Sequence, residues 1–140
     1  MYAVLYRSRA RPGLLASDLN DVIEVAEARN GAIGVTGVLL YGQIEAVAGA
    51  PGEFVQWIEG DEAAVERLFA DIEGDERHFD VEVLGRGPIP ELAGGTPTTD
   101  GRLFPSWAMR LVRLAELPAT LDGFLRFAAD RDGSALAPAA

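Results

Sequence analysis

The sequence predicts an α+β fold, a ferredoxin-like sandwich built on a mixed five-stranded sheet in the order βαββαββ. Three observations lead there. Five short segments alternate in side-chain character or run apolar at strand length. Two stretches between them, and one after them, place apolar residues at helical spacing. Their order is β-α-β-β-α-β, then β and α, which is the split β-α-β pattern with one strand and one helix added. Two helices are expected on one sheet face and the C-terminal helix on the other.

Residues 1–8 (MYAVLYRS) alternate, with Tyr2, Val4, Tyr6 and Ser8 on one face. ARPG turns the chain, and Ser17 is the expected N-cap of a helix whose apolar stripe is Leu19, Val22, Ile23 and Ala26, closed by Asn30-Gly31. A second strand spans 34–42 (GVTGVLLYG) and a third 54–60 (FVQWIEG). In the third, Phe54, Gln56 and Ile58 share one side, and Val55, Trp57 and Glu59 the other. Both sides are largely apolar, which predicts a central strand covered on both faces. Asp61 is expected to cap a second helix with core face Val65, Leu68, Phe69 and Ile72, ended by Gly74. Strands follow at 79–85 and 106–114, then a short helix marked by Leu121, Phe124, Leu125 and Ala128. Residues 44–53 and 90–101, rich in Gly, Pro and Ala, are expected as loop excursions. The predicted division is a core over 1–114, a capping helix over 115–132 and a fraying tail over 133–140.

Composition narrows the function. With 22 acidic and 12 basic residues the net charge is −10, which opposes binding to nucleic acid or to an anionic membrane surface. With no cysteine and one histidine, disulfides, thiolate sites and a metal cluster are not expected. The N terminus lacks the pattern of a signal peptide, and no segment is long enough to span a bilayer, so a cytoplasmic protein is expected. No catalytic constellation is legible.

What remains are polar groups on apolar strand faces. Gln56, between Phe54 and Ile58, poses the sharpest question, because a buried carboxamide without partners costs about 1–3 kcal/mol. The other candidates are Tyr6 and Ser8, Asn30 at a helix end, and the run Asp75, Glu76, Arg77 and His78. Taken singly these have ordinary structural explanations: a core aromatic, a helix end, and an exposed turn in which Asp75 pairs with Arg77. Trp107 and Met109, two apart on a strand, read as core packing.

Taken together they do more. YRS in the first strand, ARNG…GVTGVLLYG, FVQWIEG, the DERH run and RLFPSWAM occur in unbroken order from about residue 1 to 112. This series resembles the BLUF domain, a blue-light sensor that uses FAD. The resemblance implies a photoreceptor, not an enzyme, that holds FAD non-covalently between its two sheet-packed helices (FMN or riboflavin being possible substitutes). Tyr6 corresponds to the tyrosine facing the flavin and Gln56 to the glutamine between the two. Asn30 corresponds to a ring-edge contact, and Asp75, Arg77 and His78 to contacts near the ring and ribityl chain. Val22 and Ile23 form part of the apolar wall. Trp107 and Met109 match the residues that exchange places in proposed signalling states, and Ser8 a serine near that tryptophan. The implied mechanism is light-driven electron and proton transfer from tyrosine to flavin, recombination, and a reoriented glutamine.

Departures from the family pattern fall in the two loop excursions, which look like insertions, and at Arg29. There a guanidinium stands where relatives carry a smaller flavin-contacting side chain, so that Arg29 either reaches phosphate or weakens ring binding. The resemblance further implies a short sensor that self-associates and acts through a separate effector protein. Two other functions compete. Arg7, Arg9 and Arg11 at the first strand–helix turn suggest an acylphosphatase-like enzyme on the same scaffold. The third is a flavin-free interaction module.

Overall fold

The computed structural model describes residues 1–12, 16–43 and 52–130, of which 16–19 in backbone only. The expected tail and most of the first loop excursion lie outside the described residues. The chain runs β1 (Tyr2–Ala10), α1 (Ala16–Ala32), β2 (Thr36–Gln43), β3 (Glu53–Gly60), α2 (Glu62–Glu73), β4 (His78–Pro88), α3 (Ile89–Ala93), β5 (Trp107–Arg113), a 3-10 turn (Leu114–Glu116) and α4 (Leu121–Ala129). One sheet forms in the order β4-β1-β3-β2-β5. β1 is antiparallel to β3 and β4, β2 is antiparallel to β3, and β5 adds parallel to β2. This is the ferredoxin-like arrangement with a fifth strand.

β3 is central, and its residues from Phe54 to Gly60 are all buried. Alternation sends Ile58 to a cluster with Val4, Tyr6 and the α2 residues Val65, Leu68, Phe69 and Ile72. Phe54 joins Ala26, Leu39, Tyr41 and Trp107 beneath α1. Val55 and Trp57 face the other way, packing with Phe124 and Ala128 of α4. Both faces of β3 are therefore covered, as its two apolar sides require. Among the described residues no helix is long and apolar enough to cross a membrane.

Several boundaries differ from the sequence expectation. α1 begins at Ala16, so Ser17 lies inside it, and it continues past Asn30-Gly31 to Ala32. The glycine that ends it is Gly34, whose φ of +70° suits a residue without Cβ. Asp61 occupies the N-cap of α2, yet its side chain makes no cap bond. β4 extends beyond Gly85 to Pro88 because Gly87 and Pro88 still pair with Ala3 and Tyr2.

The second loop excursion is partly ordered. It holds α3, whose Ile89 and Ala93 are buried, and a two-residue hairpin from Thr99 to Arg102. Thr99 N and Arg102 N each donate to the other's carbonyl, at 2.8 and 3.0 Å. Asp100 and Gly101 have φ of 54° and 79°, as a type I′ Asp-Gly turn requires.

Candidate functional site

An open crevice lies between α1 and the C-terminal end of α2. Tyr6, Phe54 and Gln56 face it because alternation on β1 and β3 sends their side chains to the helical face. Val22, Ala26 and Arg29, on one stripe of α1, form one wall. Ile72, Asp75, Arg77 and His78 form the opposite wall, and Trp107 closes the β5 side. Ile23 and Met109 do not line the crevice. They pack in the cluster behind it with Trp107, and Met109 stands opposite Leu39 of β2.

At the floor, the Tyr6 hydroxyl donates to Gln56 Oε1 at 2.5 Å, and both residues are buried. Burial pushes the phenol well above its ordinary pKa of 10.0, the charge of Asp75 adds to this, and Arg29 opposes it. Tyr6 therefore holds its proton at neutral pH. With its oxygen taken by Tyr6, Gln56 has its NH₂ group as the end that can serve a ligand.

His78 begins β4 and is buried, with Nε2 2.6 Å from the Ile72 carbonyl and Nδ1 2.7 Å from Ser8 Oγ. Because a carbonyl only accepts, Nε2 carries a hydrogen. Ser8 is thus given to His78 and not to Trp107, since β1 lies beside β4 while β5 forms the opposite edge of the sheet. Arg77 meets Asp75 through Nε at 3.0 Å and Nη2 at 2.6 Å, and its backbone N–H adds a further bond at 2.9 Å. These bonds hold the Asp75 carboxyl below its ordinary range, against the opposing effect of burial.

Two side chains fit a ligand that is polar along one edge. Among the described residues, neither Asn30 Oδ1 nor Nδ2 has a hydrogen-bond partner, and Asn30 is fully buried. Asn30 is not among the residues that line the crevice, but it follows Ala26, which is, by one helical turn. The Trp107 indole N–H is likewise buried and unpartnered. A buried polar group in that state is costly unless something supplies its partner. The edge of a flavin ring, which presents carbonyl and N–H groups side by side, matches the donor and acceptor of the Asn30 carboxamide.

The sequence reading did not anticipate Leu39, Phe54 and Ile72 as crevice residues, although Phe54 shares its face with Gln56. It also passed over Glu59, which is wholly buried. Among the described residues, two of the three arginines near the first strand–helix turn are engaged within the protein. Arg7 pairs with Glu53 at 3.0 Å, while Arg11 donates to the Glu76 carbonyl at 3.1 Å and lies over the Phe79 ring.

Fold and site together define a small receptor domain for a planar heteroaromatic ligand. The chain belongs to the BLUF family, sensors of blue-light using FAD, whose model matches residues 1–110. It is 35% identical over 97 residues to the photoactivated adenylate cyclase subunit alpha of Euglena gracilis, covering 69% of this chain and 9% of that protein. It is 29% identical to the solved Klebsiella pneumoniae BlrP1 with FMN and cyclic diGMP, with a TM-score of 0.60, covering 92% of this chain and 29% of that one. Against BlsA in its photo-activated state, identity is 28% and the TM-score 0.59, covering 80% of this chain and 69% of that one. The chain spans about a tenth of the length of the curated relatives it matches. It is a flavin-binding blue-light photoreceptor module, and such modules are sensory and not themselves enzymes.

Proposed function

We propose that the bound flavin is FAD and that the signal arises at Tyr6 and Gln56. The observation that carries this is the 2.5 Å contact between the Tyr6 hydroxyl and Gln56 Oε1 on the floor of the crevice. A bound flavin supplies absorption of blue light and an excited state able to accept an electron. Tyr6, a protonated phenol on that floor, is the source of an electron and then a proton. A hydroxyl both donates and accepts, so Tyr6 keeps a hydrogen bond to Gln56 whichever end of the carboxamide it meets. Turning the carboxamide exchanges donor for acceptor on its ligand side at small energetic cost, about 1 kcal/mol per hydrogen bond. The switch is thus a small bias on a bistable arrangement.

Asn30 holds the ring edge, Val22 lines the apolar wall with Ile23 packed behind it, and Arg29 reaches phosphate at the mouth. Asp75, Arg77 and His78 bound the opposite side, with Arg77 fixed by Asp75. Trp107 and Met109 carry the change into β5, and Ser8 acts through His78. The reading extends to a cytoplasmic sensor that self-associates and acts on a separate effector protein, since several relatives join the module to an output activity. The test is optical. The purified protein is expected to be yellow, with bands that move to longer wavelength in blue light and return in the dark. Gln56→Leu is expected to stay yellow and not respond. A colourless protein refolded with excess FAD, or a Gln56→Leu variant that shifts as the parent does, overturns the reading.

A further inference from the structure

Glu59 lies on β3 three residues beyond Gln56 and on the opposite face of the sheet, with no exposed surface. A carboxyl group in that position needs donors, and the fold supplies four. Oε1 accepts from Leu103 N at 2.7 Å and from Trp57 Nε1 at 3.1 Å. Oε2 accepts from Phe104 N at 2.7 Å and from Thr36 Oγ1 at 3.0 Å. Arg102 completes the network, donating to Thr36 Oγ1 at 2.9 Å. Strand β3, the start of β2 and the segment entering β5 therefore converge on one side chain.

The groups so joined connect the crevice with α4. Leu103 and Phe104 lie between the Thr99–Arg102 hairpin and Trp107, the first residue of β5 and a wall of the crevice. Trp57, which also donates to Glu59, stacks on Phe124 of α4 with ring centroids 5.5 Å apart and planes 13° apart. Phe104 packs against the same ring at 6.2 Å. The clamp anchors the last residues of the long β4–β5 excursion to the strand that carries Gln56, in addition to the pairing of β5 with β2.

We propose that Glu59 is a positioning residue that couples movement of β3 at Gln56 to β5 and α4 through the N–H groups of Leu103 and Phe104. This rests on the photoreceptor reading and names the regulation of the same site. Glutamine at position 59 keeps the shape but replaces one acceptor oxygen by a donor NH₂, so either Leu103 N or Phe104 N faces a donor. Aspartate keeps the charge but is one methylene short.

The experiment is amide hydrogen exchange on the flavin-loaded parent, Glu59→Gln and Glu59→Asp, in the dark and under blue light. In the dark parent the Leu103 and Phe104 amides are expected among the slow exchangers, and in Glu59→Gln at least one of them exchanges about tenfold faster, as loss of one charged-acceptor hydrogen bond implies. The flavin red shift is expected to keep its size in both variants, because Glu59 lies across the sheet from the crevice. The light-dependent change in exchange over β5 and α4 is expected in the parent, reduced in Glu59→Asp and absent in Glu59→Gln. A variant that retains the parent's light-dependent change overturns the proposal, and so does fast exchange at Leu103 and Phe104 in the dark parent even if the variants do not fold. A parent without a red shift overturns instead the photoreceptor reading.

Discussion

Tyr6 and Gln56 are directly opposed in the antiparallel pairing of β1 and β3, and their side chains meet at 2.5 Å. Strand register, which the alternating apolar residues enforce, therefore sets the contact at which the proposed switch is placed.

Replacing Tyr6 by Phe removes the hydroxyl and leaves a ring of nearly the same size. The variant is expected to bind flavin and remain yellow while losing the normal light-induced red shift. Absorption spectra before and after blue illumination decide the matter, and a Tyr6→Phe protein that cycles like the parent assigns the donor elsewhere.

Asn30 without ligand is a buried carboxamide with both polar atoms unpaired. Asn30→Leu, similar in volume, is expected to leave the flavin-free protein as stable or to stabilise it by about 1–3 kcal/mol. Flavin affinity is expected to fall about tenfold or more, the worth of one or two hydrogen bonds. Urea unfolding of the flavin-free protein and fluorescence titration with FAD measure the two effects separately. Loss of stability with unchanged affinity would place Asn30 in a structural role.

Arg29 is exposed on the last turn of α1 and lines the crevice. If it meets phosphate, Arg29→Gln weakens FAD by about tenfold and riboflavin hardly at all. Equal losses for both ligands show that it touches the ring. Heat release and chromatography of the native flavin establish whether FAD or FMN is carried.

The phenol of Tyr6 binds its proton more tightly in the folded than in the unfolded chain, through burial first and the charge of Asp75 second. Its unfolded value is 10.0 and its folded value is higher. The Tyr6 contribution to stability is thus constant below pH 10.0 and is lost as pH rises from there through the folded value, because the unfolded chain gives up the proton first. Tyr2 and Tyr41 shift in the same direction and add to the loss. Tyr6→Phe is expected to soften the alkaline decline without removing it, which urea midpoints at about pH 9 and about pH 11, on either side of a free phenol's range, would reveal. A decline as steep as the parent's would mean that Tyr6 is not buried as described.

Much of the site was legible because it depends on periodicity and residue type. Strand spacing put Tyr6 and Gln56 on interior faces, and the amide among apolar neighbours signalled a partner. The Asp75–Arg77 pair was legible as a local contact. The pairing of Ser8 with His78 was not, because it depends on β4 lying beside β1, a contact between residues 70 positions apart. The order in the second loop excursion was not legible, because its Asp-Gly turn forms only where Thr99 and Arg102 meet.

By itself the sequence determined the order of the five strands and three principal helices, the two-sided covering of β3 and the exposure of Gln56 to an interior space, because side-chain alternation and helical spacing are local properties of the chain. Only the tertiary structure decided which polar groups meet. It gave Tyr6 the carboxamide oxygen of Gln56, left Asn30 unpaired and enclosed the Glu59 carboxylate within four donors. The physical reason is that a buried polar group must find its partner in space, and the strand order that supplies one brings together residues far apart in the chain.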